Sequence, residues 1–140
     1  MSLTRIQQLY RQVLLDAAAA PHTWGELGAQ PQQLRAVNPT CGDKLVLSVN
    51  VAAGAVQGLQ ADVTGCTICQ ASAELMIRTV HGKTPAEAQS SCSKMCTLVR
   101  DGTPQTGLGD AAVLASVHEF PARVKCALLA WTTLAQLLEE

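Results

Sequence analysis

The sequence has few aromatic and few charged side chains, and it contains no long apolar run. Aromatic residues make up 3% of its 140 residues and charged residues 15%, and ten Lys and Arg against eleven Asp and Glu leave a net charge of −1. Without an excess of basic residues, the chain lacks the positive electrostatic potential that attracts nucleic acid or anionic lipid. No segment is long and apolar enough to cross a bilayer. We therefore expect neither a nucleic-acid nor a membrane partner.

Disulfide staples are also not expected. Six cysteines are few for a chain of this length, and no apolar segment typical of a secretory signal precedes them. We expect reduced thiols and a cytoplasmic location. A chain of this size can bury a core without disulfides, so residues 1–140 are predicted to form one domain. The dinucleotide, Walker, HExxH and nucleophile-elbow motifs are absent, which leaves nucleotide-cofactor and hydrolase functions without a residue basis.

Hydrophobic periodicity predicts helices on both sides of a sheet. Apolar residues at steps of three and four predict helices over residues 2–18 and 67–80, and from 121 onward. The predicted buried stripe of the first helix consists of Leu3, Ile6, Leu9, Tyr10, Val13 and Leu14. Thr84 and Glu87 form a capping-box pattern that opens another helix, to about residue 100, and a short one is predicted near 110–118. Alternation predicts strands at 44–51 and 59–63, with a weaker third strand at 34–37. Residues 21–31 are predicted to be an exposed connection. The fold class is therefore α+β, a three-stranded antiparallel sheet packed against about five helices.

Three widely separated cysteines occupy positions that favour ionised sulfur. Cys41 lies in a turn directly before the first clear strand, and Cys66 begins a helix whose dipole favours an anion. Cys126 follows Arg123 by one helical turn, which places positive charge near its thiol. Asp43 adds a carboxylate two residues from Cys41, and a Cys3Asp set has suitable softness for zinc.

A second set of cysteines has a more conventional ligand spacing. Cys66 and Cys69 form a CxxC pair, and Cys92 and Cys96 form a CxxxC pair, as in paired zinc sites. Both pairs fall within predicted helices, where residues three or four apart share a face. The alternative interpretation, which we favour, makes Cys69, Cys92 and Cys96 small apolar core residues. Spacing alone leaves both sets open.

The histidines carry no such pattern. His22, His81 and His118 do not stand beside a cysteine in a recognisable ligand spacing. We expect each to be a surface or capping residue.

Four motifs together resemble one known family. They are Leu-Tyr-Arg-Gln-Val at 9–13, Asn-Pro-Thr-Cys-Gly-Asp at 38–43, Gly-Cys at 65–66 with Gln-Ala-Ser at 70–72, and Phe-Pro-Ala-Arg-Val-Lys-Cys at 120–126 followed by Trp131. Over about residues 9–131 the chain resembles the SufU family, which is grouped with the IscU and NifU N-terminal scaffold proteins. The longer segment at 91–119, and Lys125 where IscU-type proteins carry histidine, indicate SufU rather than IscU.

The resemblance implies a zinc site and a role in iron-sulfur cluster assembly. Cys41, Asp43, Cys66 and Cys126 would bind one zinc ion, and Arg123 matches the family's site arginine. Cys41 would accept persulfide sulfur from a SufS-type cysteine desulfurase, which supplies a histidine to the zinc in exchange for this cysteine. The protein would then act as a sulfurtransferase-like partner rather than a stand-alone enzyme, and pass sulfur to a SufBCD-type scaffold or to apo-proteins. The alternative is a scaffold that carries a transient iron-sulfur cluster.

The chain also departs from the family pattern. After Asp16 the family continues with histidine and an Asn-Pro-Arg-Asn-like turn, whereas residues 17–25 here read Ala-Ala-Ala-Ala-Pro-His-Thr-Trp-Gly. Members commonly have serine or another small residue at the position of Cys69. Cys92 and Cys96 lie outside the family's motif, so the role of these three thiols stays open.

Overall fold

A computed structural model describes the backbone of residues 2–139 and the side chains of residues 10–139. In chain order its elements are α1 (Ser2–Ala19), β1 (Thr23–Gly25), β2 (Gln32–Asn38), β3 (Asp43–Ala52), β4 (Ala55–Thr64), α2 (Thr67–Val80), α3 (Pro85–Asp101), a 3-10 helix (Gly109–Glu119) and α4 (Pro121–Glu139). The predicted α+β class is confirmed. Within residues 2–139, no helix is both long and apolar enough to cross a membrane.

The sheet has four antiparallel strands in the order β1-β4-β3-β2, so the predicted count of three is wrong by one. The additional strand, β1, lies in the segment that was predicted to be an exposed connection. It has only three residues, too few to show an alternating pattern. It pairs with β4 through contacts such as Gly25 with Gly58, where a Cβ on either glycine would collide with backbone atoms of the facing segment. Pairing with a distant strand, and not local pattern, creates β1.

One face of the sheet is covered by helices α2 and α4. Helix α2 contacts β1 and β4, and α4 contacts β2 and β3. Leu45, Leu47 and Val49 alternate along β3 and are buried in this core. The two helices are joined by a buried hydroxyl, because Ser72 donates to the carbonyl of Ala127 and accepts from Nε1 of Trp131 at 2.8 Å. These two hydrogen bonds join α2 and α4 beyond the first turn of each helix.

The described side chains of helix α1 follow the predicted buried stripe only in part. Val13 and Leu14 are half-buried against the core, whereas Tyr10, which was predicted to share the buried stripe, is 50% exposed. The side chains of Leu3, Ile6 and Leu9 from the same predicted stripe lie outside the described residues.

The predicted capping box is confirmed at the start of α3. Glu87 N donates to Thr84 Oγ1 at 3.2 Å, and Thr84 N donates to the Glu87 carboxylate at 3.0 Å. Hydrogen bonding to the Glu87 carboxylate from the Thr84 backbone, and then from the Thr84 side chain, lowers the pKa of Glu87.

The expectation for His22 is wrong, because this side chain is buried. Its ring nitrogens face Oε1 of Glu74 at 3.0 Å and Oε1 of Gln70 at 2.9 Å, and its backbone N–H donates to the same Glu74 oxygen. The network attaches the chain after α1 to helix α2. His81 is the C-cap of α2, as expected, and its ring stacks on that of Trp24 with centroids 4.4 Å apart.

Candidate metal centre

Cys41 is presented by a tight turn between β2 and β3. The amide of Gly42 donates to the carbonyl of Asn38 at 2.8 Å, and Gly42 has a φ of 76°, a left-handed conformation that glycine adopts without strain. The turn leaves Cys41 exposed, with its sulfur 3.7 Å from the carbonyl oxygen of Ala122, just inside the start of α4. The thiol is therefore both accessible and close to the first turn of α4.

Asp43, the first residue of β3, is fully buried. Its Oδ1 accepts a hydrogen bond from the backbone amide of Cys66 at 3.1 Å, and its Oδ2 accepts from the side chain of Asn38 at 3.4 Å. Within residues 10–139, no Lys, Arg or His forms a salt bridge with this carboxylate. A buried carboxylate without a cationic partner is costly. A bound cation would remove this cost.

Two thiols converge on the Asp43 carboxylate. One ligand atom each of Cys41, Asp43 and Cys126 lies within 4.8 Å of the other two. In the part of the chain that the structure describes, no other three His, Cys, Asp or Glu side chains form such a group. In a tetrahedral zinc site, sulfur lies about 2.3 Å and oxygen about 2.0–2.2 Å from the metal, so the ligand atoms are roughly 3.5–3.8 Å apart. Small side-chain movements would therefore bring the three atoms to a zinc ion.

Cys66 lies at the edge of this group. It is the N-cap of α2, it is half-buried, and its amide binds Asp43, but its thiol is outside the 4.8 Å group. That thiol is close enough to Cys126 to raise the pKa of the latter. A donor set of three sulfurs and one carboxylate oxygen fits the coordination chemistry of zinc.

The pKa of the Cys126 thiol depends on its burial and on the groups around it. Burial, followed by interactions with Asp43, Cys41 and Cys66, raises the pKa of the Cys126 thiol. A cation bound by the same carboxylate would reverse this preference, because a coordinated thiol is deprotonated. Arg123 is exposed, and its interaction with Cys126, with smaller contributions from Cys66 and Cys41, raises the pKa of its guanidinium.

Asn38 is a residue of this centre that sequence reasoning missed. It is 4% exposed, and its side-chain amide donates to Asp43 and also lies 3.7 Å from the sulfur of Cys126. Its oxygen accepts from the backbone of Thr40 at 3.3 Å. The available signal was strand alternation, since Asn38 shares the inward face of β2 with Leu34. An amide at an inward position needs buried partners.

The rival cysteine pair lies elsewhere. Cys92 and Cys96 line a groove that also contains Arg100 and Trp131, between α3 and α4. In the described residues, these two thiols do not form a close ligand group with a third His, Cys, Asp or Glu side chain. Cys92 is 1% exposed, and burial, with a contribution from Cys96, raises its pKa to about 12. An inert core thiol has these properties.

The family model of the NifU-like N terminal domain matches residues 9–127. The chain belongs to this family. It is 35% identical to the iron-sulfur cluster assembly scaffold protein IscU of Streptococcus pyogenes serotype M1, in an alignment covering 99% of this chain and 88% of that protein. It is also 35% identical to the zinc-dependent sulfurtransferase SufU of Bacillus subtilis strain 168, over 92% of this chain and 88% of SufU.

A solved structure agrees with these relatives. The crystal structure of a proposed iron-sulfur cluster assembly scaffold protein for the SUF system, from Fervidobacterium islandicum AW-1, superposes with a TM-score of 0.81 at 25% identity, over 91% of this chain and 94% of that chain. The resemblance predicted from the motifs is confirmed, and the chain is a member of the IscU and SufU group of iron-sulfur cluster assembly proteins.

Proposed function

We propose that this chain accepts persulfide sulfur from a SufS-type cysteine desulfurase, with Cys41 as the acceptor. Zinc would be held by Cys41, Asp43, Cys66 and Cys126. The contrast in exposure supports this division of roles most directly, because Cys41 is exposed on a turn whereas Asp43 and Cys126 are fully buried. One thiol of the centre can thus meet a partner while the buried groups stay in place. The name of the Bacillus subtilis relative, a zinc-dependent sulfurtransferase, agrees with this role.

The transfer step needs no external oxidant. The Cys41 thiolate attacks the outer sulfur of the desulfurase persulfide, and a new sulfur–sulfur bond forms on Cys41. The sulfur–sulfur bond of the desulfurase breaks, and its cysteine leaves with the electron pair and takes up a proton. Zinc, when bound, keeps its thiol ligands ionised and adds no redox chemistry of its own.

Arg123 supplies positive charge beside the acceptor. Its guanidinium is exposed and interacts with Cys126, Cys66 and Cys41. Sulfur transfer leaves a negatively charged persulfide on Cys41, and a neighbouring cation favours that charge. From Cys41 the sulfur would pass to a SufBCD-type scaffold or to apo-proteins.

A scaffold on which an iron-sulfur cluster is assembled is the second candidate function. It is supported by the scaffold names of the Streptococcus pyogenes relative and the Fervidobacterium structure. The same three thiols would then be cluster ligands. Stable cluster absorbance after reconstitution, without activation of a desulfurase, would favour this candidate.

The deciding experiment measures turnover of a SufS-type desulfurase with the zinc-loaded protein. We expect activation by the wild type, loss of activation in Cys41→Ala, and unchanged activation in Cys96→Ala, whose thiol lies in the separate groove. Mass spectrometry should find one added sulfur atom on Cys41. If zinc-loaded wild type leaves the desulfurase rate unchanged, sulfur transfer is the wrong function.

Metal content must be measured for each variant. Structural zinc contributes on the order of 10 kcal/mol of apparent binding energy to small domains, so loss of metal can imitate loss of function. A Cys41→Ala variant that is less stable but activates normally would indicate a zinc-stabilised binding module without sulfur chemistry.

A further inference from the structure

His22 combines a strained backbone with a fully bonded side chain. Its φ is 59°, in the left-handed region that residues with a side chain seldom adopt. Its backbone N–H donates to Oε1 of Glu74 at 3.0 Å, and its carbonyl accepts from the amide of Ala61 in β4 at 2.9 Å. A conformation of this kind persists only where the surrounding contacts hold it, and it is common at functional sites.

The hydrogen bonds of the Gln70 amide fix one proton of the His22 ring. Nε2 of Gln70 donates to the carbonyl oxygen of Val63 at 2.9 Å, an atom that can only accept. The amide oxygen of Gln70 therefore points the other way, and it lies 2.9 Å from Nε2 of His22. This oxygen also only accepts, so Nε2 of His22 carries a hydrogen.

The Glu74 carboxylate fixes the second proton. Nδ1 of His22 lies 3.0 Å from Oε1 of Glu74, and Oε2 of the same carboxylate accepts from Nε of Arg78 at 2.9 Å. An ionised carboxylate only accepts hydrogen bonds, so Nδ1 carries a hydrogen too. Among the described residues, the charged groups hydrogen-bonded in this network are Glu74 and Arg78, both on α2, whereas β4 contributes backbone groups and β1 has no charged side chain.

We infer that His22 is a positioning residue with a proton on each ring nitrogen, and that it holds the Cys66 end of α2 in place through Gln70. This role rests on the proposed function, in which Cys66 is a zinc ligand. The side chain of Cys66, the N-cap of α2, accepts no capping hydrogen bond from the described amides of that helix. The Gln70 amide ties the start of α2 to Val63 near the end of β4, and His22 fixes the direction of this amide.

The contact joins a residue outside the family motifs to one inside them. His22 lies in residues 17–25, the segment that departs from the family pattern, whereas Gln70 belongs to the Gln-Ala-Ser motif at 70–72. The backbone amide of Gln70 donates to the carbonyl of Cys66 at 3.0 Å, so the two residues share the first turn of α2. Loss of the His22 ring would free the Gln70 amide to turn away from β4 and would loosen that turn.

Nitrogen NMR of the zinc-loaded protein tests the protonation of His22. The spectrum is recorded at about pH 7.5, where an unbonded histidine is mostly neutral. A doubly protonated ring gives two ring-nitrogen shifts of similar value, whereas a neutral ring gives one protonated and one unprotonated nitrogen with widely separated shifts. We expect the first pattern for His22, assigned by its disappearance in His22→Gly. The second pattern would overturn the inference.

Zinc affinity, measured by chelator competition, tests the positioning role. His22→Gly removes the ring, and glycine adopts the left-handed backbone without strain, so the variant reports on the side chain alone. The set also contains Gln70→Ala and the double variant. His81→Ala is the matched control, because its ring stacks on that of Trp24 in β1, with centroids 4.4 Å apart, and leaves the Gln70 amide untouched.

We expect the zinc affinity of His22→Gly to fall by about 10-fold, the lower end of the effect of removing an outer partner of a metal ligand. Gln70→Ala should show a similar loss, and the double variant no further loss, because both substitutions break the same chain of contacts. His81→Ala should bind zinc like wild type. A double variant that loses as much as the two single losses combined would show that His22 does not act through Gln70.

The pH dependence separates a charged ring from a merely packed one. When the pH is raised until the NMR spectrum shows loss of the Nδ1 proton, the ring turns a lone pair towards the Glu74 carboxylate and is displaced. The advantage of wild type over His22→Gly in zinc affinity should then disappear. An advantage that stays constant after this proton is lost would overturn the role of the charge.

The outcomes also separate this role from the proposed function. Wild type that activates the desulfurase, with equal zinc affinity in folded His22→Gly, would overturn the positioning role while leaving sulfur transfer intact. The expected loss in His22→Gly, combined with a desulfurase that does not respond to wild type, would overturn sulfur transfer while the positioning role stands. A wild type that binds no zinc would overturn both.

Discussion

The backbone amide of Cys66 donates a hydrogen bond to Oδ1 of Asp43 at 3.1 Å and so joins the start of α2 to the start of β3. Asp43 begins β3 and Cys66 follows the end of β4, so both residues lie at the open end of the β3–β4 hairpin. Its antiparallel register pairs Lys44 with Thr64, which brings the residues just outside that pair side by side. The hairpin thereby converts a large sequence separation into a contact within the metal centre.

Gly65 should be required for this contact. A Cβ at Gly65 would lie 2.5 Å from Oδ1 of Asp43, so Gly65→Ala must displace the carboxylate. We expect zinc affinity, measured by competition with a chromogenic chelator, to fall by about 10–100-fold, the usual effect of disturbing the support of a metal ligand.

Gly82→Ala is the control for the Gly65 variant. Gly82 has a φ of 76° and open space where the Cβ of an alanine would lie, so this substitution strains the backbone without approaching the centre. It should cost about 1–2 kcal/mol of folding free energy and leave zinc affinity unchanged. Equal zinc affinity in wild type and Gly65→Ala would show that the close approach does not matter.

Asn38 should act as a positioning residue for two ligands. Asn38→Ala removes the donor that faces both Asp43 and Cys126, and we expect zinc affinity to fall by about 10–100-fold. Gln33→Ala is the matched control, because it removes another amide of β2, one that donates to Ser48 at 2.9 Å. If Asn38→Ala lowers the melting temperature but not the zinc affinity, Asn38 has a structural role only.

The groove thiols should be dispensable for metal binding. Cys92→Ala with Cys96→Ala should keep the full zinc content by elemental analysis, whereas Cys66→Ala with Cys126→Ala should lose it. The reason is that the first pair lies between α3 and α4, away from the buried carboxylate of Asp43. Zinc loss from a folded groove variant, checked by circular dichroism, would mean that the metal is held by the CxxC and CxxxC cysteines.

Stability should fall at alkaline pH because of the buried thiol of Cys92. Its pKa is about 12 in the folded protein against 9.0 as the ordinary value, so the unfolded chain loses this proton first. The thiol's contribution to stability is therefore complete below about pH 9 and is lost as the pH rises towards about 12.

Urea unfolding under reducing conditions, at pH values from about 8 to about 10, measures this effect. Cys92→Ala should flatten the decline in the free energy of unfolding above about pH 9, by at most about 1.4 kcal/mol per pH unit. Ser93→Ala, an exposed neighbour, should not. Parallel slopes in wild type and Cys92→Ala would contradict the assignment.

Local pattern was sufficient for most of the secondary structure. Periodicity predicted α2 over residues 67–80 as observed, and alternation predicted strands at 44–51 and 59–63, which pair in the structure as β3 and β4. It failed for β1 and for His22, because both depend on partners far along the chain. A three-residue strand and a single histidine carry no periodicity from which such partners can be inferred.

The sequence by itself determined the family, through motifs around Cys41, Cys66 and Cys126, and it determined which residue types could bind zinc. The CxxC and CxxxC pairs have the more conventional ligand spacing, but spacing alone left both cysteine sets open. Only the tertiary structure decided that Asp43 is buried between the thiols of Cys41 and Cys126 and that Asn38 supports it. The physical reason is that these relationships arise from strand register and helix packing, which bring together residues that are remote in sequence.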